Sequence, residues 1–251
     1  MRSTVERFSN RVENYVKYRP GYPAEVLRLF RNEMNLTESS VIADIGSGTG
    51  ISSKLFSENG NKVFGVEPNA AMRSAAEEFL VDFPNFISVD GTAENTNLPD
   101  DSVDLIIAAQ AFHWFDQTKT LGEFKRILHP NGFIALIWNE RQLDTTPFLI
   151  EYEKFLLKFA NDYTKVRHDS VNEKSLADFF QTDFHRATFQ NEQVFDFEGL
   201  KGRVLSSSYM PSETHENYVP MVAELRPLFA KHAESGKIKV FYDTNVFYSK
   251  V

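Results

Sequence analysis

Five short apolar runs, Val41 to Ile45, Val63 to Glu67, Phe86 to Asp90, Val103 to Ala109 and Phe133 to Trp138, are each bounded by turn residues or charge, as buried strands are. Helical patterns separate them. From Asn69 to Phe83 the residues Met72, Ala75, Ala76, Phe79, Leu80 and Phe83 repeat at helical spacing behind an N-capping asparagine. A second helix is expected from near Gly50 to Gly60. A third is expected from about Asp116 to Leu128, stopped by the turn His129-Pro130-Asn131-Gly132. Strand alternating with helix builds an α/β domain, a mostly parallel sheet with helices on both faces. Beyond Asn139 a stretch rich in Phe and Tyr, about Pro147 to Phe180, reads as an inserted helical cap. Ala187 to Phe197 and Lys237 to Tyr248 then read as an antiparallel C-terminal hairpin that brings the sheet to seven strands.

The 251 residues, 42% of them hydrophobic, suffice for one substantial core. A single domain over 1–251 is expected: an N-terminal lid (1–23), a ligand-binding core (24–141), the cap (142–183) and the closing strands (184–251). Lys and Arg number 27 against 35 Asp and Glu, a formal charge of −8, so no nucleic-acid partner is expected. With no cysteine, disulfides, thiolate metal sites and cysteine nucleophiles are excluded. No metal is expected. No run approaches the roughly 20 apolar residues of a membrane span, and the N-terminus lacks a signal-peptide stretch; a soluble, cytoplasmic protein without a membrane partner is expected. Oligomeric state is not readable.

Val41-Ile-Ala-Asp-Ile-Gly-Ser-Gly-Thr-Gly50 places three glycines where the first strand passes into a helix, so backbone and free helix N–H groups can approach a ligand closely. A dinucleotide fingerprint has Gly or Ala at its sixth position, where this chain has Ile51, which weakens a nucleotide-dependent oxidoreductase reading. Glu67 closes the second strand, where a carboxylate can accept hydrogen bonds from both hydroxyls of a ribose. Loop and acid together indicate an adenosine-type ligand. The plain alternative is a tight turn and a solvated strand end.

Ile42 to Gly50 together with Gly65-Val-Glu67-Pro68 resembles the cofactor site of class I S-adenosylmethionine-dependent methyltransferases, which implies a Rossmann-like fold; the resemblance covers about residues 8–141. Tyr15 to Pro23 (YVKYRPGYP) and Ala111 to Asp116 (AFHWFD) are similar to segments of the type 11, trans-aconitate-methyltransferase-like small-molecule subgroup. The resemblance implies that Asp44 orients the loop and the cofactor's amino group, and that Gly46, Ser47 and Gly48 face the methionyl part. It implies that Glu67 and Pro68 hold the ribose, and that Met72, Thr92, Ala93 and Glu94 meet the adenine, Thr92 standing where the family often has Asp. Gln110 resembles the position that meets the methionyl group, Tyr18 is a further candidate cofactor contact, and Arg19 resembles a carboxylate-binding lid residue or, on the plain alternative, is a solvated arginine before a turn.

Methyl transfer needs an in-line approach of the acceptor atom, so positioning is the main demand on the protein. The cluster Phe112-His113-Trp114-Phe115 follows the fourth strand's carboxyl end and is the candidate wall for the acceptor. His113 is the candidate catalytic base for a hydroxyl or amine; a carboxylate acceptor needs none. The alternative for His113 is a structural histidine under the cap. Tyr15, Trp114, Asn139 and Tyr209 are the candidate acceptor contacts. Lys165, Arg167 and His168 are interleaved with Asp162, Asp169 and Glu173 and read as a solvated face. Ala109-Gln-Ala-Phe112 bears no likeness to the Asn/Asp-Pro-Pro-Tyr motif of adenine, cytosine-N4 or glutamine methylation. O-methylation of a small molecule is the favoured reading, with N, S or C open. The rivals are the oxidoreductase and a non-catalytic S-adenosylmethionine-binding protein.

Overall fold

The computed structural model describes residues 12–161 and 173–251. Seven strands, β1 (Val41–Ile45), β2 (Lys62–Val66), β3 (Phe86–Val89), β4 (Val103–Ala109), β5 (Leu128–Arg141), β6 (His185–Phe195) and β7 (Ile238–Lys250), form one sheet in the order β3-β2-β1-β4-β5-β7-β6. Only β7 runs against its neighbours. The chain winds outward from β1 through β2 to β3, then returns to the other side of β1 for β4 and β5. This reversal opens a crevice beyond the carboxyl ends of β1 and β4, where open α/β sheets bind ligands.

Side chains alternate between the two faces with the period of a strand. Ile42, Leu105, Ile107, Ala135 and Ile137 pack with Phe30 of α2 (Glu25–Glu33) and Phe56 of α3 (Ile51–Glu58). Ala43, Ile45, Ile106, Ala108, Ile134, Leu136 and Trp138 pack with Leu121, Phe124 and Ile127 of α5 (Gln117–Ile127). Asn69 caps α4 (Ala70–Phe79), its Oδ1 accepting from the N–H groups of Ala71 at 2.9 Å and Met72 at 3.1 Å. The expected helix to Phe83 stops short at Phe79, with Leu80 as its C-cap. His129 to Gly132, expected as a free turn, lie inside β5. They bulge out between two paired positions, Val103 opposite Leu128 and Leu105 opposite Phe133, with Asn131 at φ 69°.

After β5 the structure departs from the expected layout. The antiparallel pairing of β6 with β7 is present from His185 opposite Tyr248 to Phe195 opposite Ile238, but no hairpin turn joins them. Two helices intervene, α8 (Phe197–Leu205) and α9 (Tyr218–His232). Both contain poor helix formers, Gly199 and Gly202 in the first and Pro227 in the second, which hides them from local propensity. Packing overrides that preference: Leu200, Val204, Met221 and Leu225 join Phe148, Tyr152, Phe155 and Leu156 of α6 (Pro147–Phe159) in a second core. The cap is thus built from α6, α8 and α9. The helix α7 (Glu173–Phe180), expected in the cap, instead lays Leu176, Phe179 and Phe180 on the sheet face beside α5. Lys165, Arg167 and His168 lie outside the described residues. Among the described residues no helix is long and apolar enough to cross a membrane.

Candidate functional site

A cavity of about 860 Å³ opens beyond the carboxyl ends of β1, β2, β4 and β5. That is within the range of small-molecule sites, with room for more than one ligand. The glycine loop and Glu67 form one wall, the loops after β3 and β4 a second, and the N-terminal segment with the cap a third. Among the described residues no group of three or more His, Cys, Asp or Glu is placed to hold a metal.

The loop after β1 turns on three left-handed glycines, each for its own reason. Gly46 (φ 69°) passes so close to the β4 loop that a Cβ would stand 2.6 Å from that of Ala111. At Gly50 (φ 82°) a Cβ would meet Leu80 Cδ1 at 2.8 Å, while at Gly48 (φ 56°) it would meet no atom within 4 Å. The first and last glycines therefore admit protein, and the middle one leaves the cavity open. Glu67 Oε2 accepts from the Gly48 N–H at 3.1 Å and Oε1 from the Asn69 N–H at 2.8 Å, so backbone donors orient the carboxylate at the cavity wall. Burial pushes its pKa up from the usual carboxylate range. Both oxygens retain lone pairs for further donors.

Asp44 does not line the cavity. It is fully buried behind the loop, Oδ2 accepting from the hydroxyls of Ser52 and Ser53 at 2.6 Å each. Oδ1 accepts no hydrogen bond. Burial pushes its pKa up to about 6, against the serine hydrogen bonds, which pull it down. A carboxyl whose folded pKa is raised contributes stability that is complete below about pH 3.8 and is lost as pH rises through about 6. Asp44→Asn, which cannot titrate, is expected to gain on the wild type by about 2–3 kcal/mol between pH 4 and pH 7.5. Urea unfolding at the two pH values measures this; a constant difference would refute the shift.

Thr92 bridges to Asn95 in a tight turn after β3 and lines the cavity with Ala93, Glu94, Pro68 and the buried Met72. Glu94 also accepts from the Asp116 N–H at 2.8 Å, tying this turn to the start of α5. Gln110 follows β4 at φ 59°, a conformation costly for a residue with a side chain. Its amide donates to the Asn139 carbonyl at 3.0 Å. His113, Trp114 and Phe115 line the cavity, the His113 and Trp114 rings 4.6 Å apart and Trp114 39% exposed. Phe112, grouped with them in the expected acceptor wall, is instead fully buried among Trp138 and Phe179.

One further expectation is corrected in the lid. Tyr18 is seated against Gly202 of α8 in the cap core and does not reach the cavity. Asn139, expected to touch the acceptor, lines the cavity, and its side-chain amide is also bonded to the protein. Its Nδ2 donates to the carbonyls of Gly21 at 3.0 Å and Pro20 at 3.4 Å, and its Oδ1 accepts from Thr244 Oγ1 at 2.5 Å and Asn191 Nδ2 at 3.1 Å. With Asn191, which also donates to the Gly21 carbonyl, it fastens the N-terminal segment to β5, β6 and β7. Asn139→Ala is expected to cost about 2–4 kcal/mol in thermal unfolding. A loss below 0.5 kcal/mol would show that this fastening is unimportant.

Tyr15, Arg19 and Tyr209 line the third wall. Arg19 lies over the Tyr15 ring, 4.9 Å from its centroid, and donates to the Ser206 carbonyl at 3.1 Å. Burial, and then the charge of Arg203, lower its pKa. Arg203, Tyr22 and Tyr242 also line the cavity and were not anticipated. Arg203 belongs to the helix α8 that local propensity conceals; the Asp196 N-cap, which accepts from the Gly199 N–H at 2.8 Å, was the readable sign of it.

Residues 43–136 match the family described as methyltransferase domain. This stretch is similar to a class I S-adenosylmethionine-dependent methyltransferase domain. A methyltransferase-like protein of Schizosaccharomyces pombe is 27% identical over 253 residues, covering 98% of this chain and 96% of that protein. The chain also superposes on a structure described as a type II methyltransferase from Anaeromyxobacter dehalogenans, with TM-score 0.70 at 21% identity over 93% of this chain and 98% of that one. It further superposes on a phosphoethanolamine N-methyltransferase of Haemonchus contortus solved with S-adenosyl-L-methionine, with TM-score 0.53 at 16% identity over 98% of this chain and 56% of that one. The seven-stranded order with β7 reversed is the Rossmann-like fold of these methyltransferases, and the family match sets aside the oxidoreductase reading.

Proposed function

We propose that the protein methylates an oxygen of a compact acceptor, a hydroxyl or a carboxylate, inside the cavity between the glycine loop and the cap. The single observation that carries this is the Glu67 carboxylate, held by the Gly48 and Asn69 N–H groups at the wall of a cavity large enough for donor and acceptor together. The residues present suit S-adenosylmethionine: an open cradle at Gly48, an acid with spare lone pairs for ribose hydroxyls, and the buried Met72 beside Ala93 for an adenine. When bound, that molecule supplies an electrophilic methyl on a cationic sulfur.

The chain's own residues then position and enclose. Glu67 binds the ribose, and Ser47 and Gln110 bracket the methionyl end. Trp114, Phe115 and Tyr209 wall the acceptor and reduce its hydration, which favours charge cancellation between an anionic oxygen and a sulfonium. His113 stands in the same wall and takes the proton from a hydroxyl acceptor. No nucleic-acid, metal or membrane role enters this reading.

Calorimetric titration with S-adenosylmethionine and S-adenosylhomocysteine, beside NAD and NADH, tests it. Saturable binding of the first pair alone is expected. Binding of neither pair would sink the reading. Once an acceptor is in hand, His113→Ala should leave S-adenosylhomocysteine affinity within twofold and lower turnover of a hydroxyl acceptor about 100-fold. Unchanged turnover would remove His113 from the chemistry.

A further inference from the structure

At the end of the sheet, β6 has one neighbour only, β7, and it lacks the usual protections of an edge strand. It runs for 11 residues without proline or lysine and pairs with β7 at every position from His185 to Phe195 without a bulge. The opposite edge, β3, has only 4 residues. Among the described residues no backbone hydrogen bond reaches β6 except from β7, so its outer row of N–H and C=O groups is unpaired. Tyr18 and Gly21 lie over a face of the strand rather than along this edge, their carbonyls accepting from the side chains of Gln193 at 3.1 Å and Asn191 at 2.8 Å. The other face carries, from Phe184 onward, Phe184, Arg186, Thr188, Gln190, Glu192 and Val194. That series reads apolar, cation, polar, polar, anion, apolar, and it complements itself when reversed.

We propose that β6 pairs antiparallel with β6 of a second copy of this chain, about a two-fold axis through Phe189 perpendicular to the sheet, joining the two seven-stranded sheets into one. That axis sets Arg186 opposite the partner's Glu192, Thr188 opposite the partner's Gln190 and Phe184 opposite the partner's Val194, each pair occurring twice. Moving the axis by one residue sets Arg186 against Gln190 or Val194 and loses both ion pairs, so charge fixes the register. The side chains are already posed for this. Arg186 donates through Nη2 to Asn245 Oδ1 at 3.0 Å and lies over the Phe247 ring, 5.3 Å from its centroid, and its remaining N–H groups are left for the partner. Glu192 meets Lys239 at 3.1 Å, and the second cation places the acid between two bases. Val194, 48% exposed, gains an apolar cover. The contact is isologous: each edge uses up the other and no long edge is left for further chains. No residue of β6 lines the cavity, so the contact stays clear of the ligand site.

Sedimentation velocity of the full chain from about 1 to 100 μM tests this, with a monomer–dimer equilibrium expected. Arg186→Glu and Glu192→Arg each set like charges opposite one another across the axis and should each raise the dimer dissociation constant at least tenfold. Mixing the two single variants decides the register. Only a dimer of one with the other has opposite charges at both positions, so the mixture should associate where neither variant does alone. Hydrogen exchange on the wild type covers the case in which a variant does not fold: amides of residues 185–193 should exchange more slowly in concentrated than in dilute protein, while those of β3 do not change. A monomer throughout the concentration range, a dimer indifferent to both single variants, or a mixture that stays monomeric overturns the proposal. So does exchange in β6 that is independent of concentration, or growth beyond a dimer, since two-fold pairing closes the edge.

Discussion

Gly46→Val is expected to abolish measurable S-adenosylhomocysteine binding and to lower the melting temperature by about 5–15 °C. The residue sits at φ 69°, and a Cβ there would stand 2.6 Å from the Ala111 Cβ, well inside contact distance. A β-branched side chain adds the penalty of left-handed backbone, about 1–2 kcal/mol, to overpacking of about 1–3 kcal/mol. For a domain of this size each kcal/mol moves the midpoint by about 2–4 °C. The chain can relieve the clash only by moving the loop away from β4, which displaces Gly48 and the N–H that holds Glu67. Gly48→Ala is the control. It carries the backbone penalty but meets no atom within 4 Å, so it should melt close to the wild type while still weakening the ligand. Equal melting temperatures for the two variants would show that the Ala111 contact does not matter.

Glu67→Ala should weaken S-adenosylhomocysteine binding by roughly 150- to 25,000-fold, the worth of two hydrogen bonds to a charged acceptor at about 1.5–3 kcal/mol each. The fold should survive, because the half-buried Gly48 donor can turn to water and the buried Asn69 still caps its helix through Oδ1. Glu67→Gln, which keeps one acceptor oxygen, should fall between the two. Because burial raises the Glu67 pKa, wild-type affinity should decline on acidification, when protonation removes an acceptor, and the alanine variant should lose that dependence. Unchanged affinity in Glu67→Ala would remove the ribose assignment and with it the main support for the functional reading.

The residues from Val41 to Asn139 were legible in advance because local rules and tertiary demands agree there. Apolar runs of strand length, the Asn69 cap and the three glycines each have one inexpensive solution, and the sheet adopts all of them. The cofactor side of the site follows from the same stretch: Gly46, Gly48, Glu67, Met72, Ala93 and Gln110 come from consecutive strand ends, so the parallel order alone gathers them. Asp44 is the instructive exception. Its position was readable, but its burial behind Ser52 and Ser53 was set by which face of β1 meets α3.

Beyond Asn139 the balance reverses. The helices of the cap are held by contacts distant in sequence, Leu200 and Val204 against Phe155 and Met221, so glycines and prolines that argue against helix locally are outweighed once the second core forms. Hydrogen bonds spanning more than a hundred residues fix Asn139 at the cavity wall, an engagement that no local pattern records. Arg203 gained its position in the same way, brought beside Arg19 by packing that no local pattern records. The sequence by itself determined the α/β order, the glycine loop and the acid beside it, because each depends on neighbours a few residues away. The tertiary structure alone decided what faces the acceptor, because burial and charge pairing are properties of segments that meet only after the chain has folded.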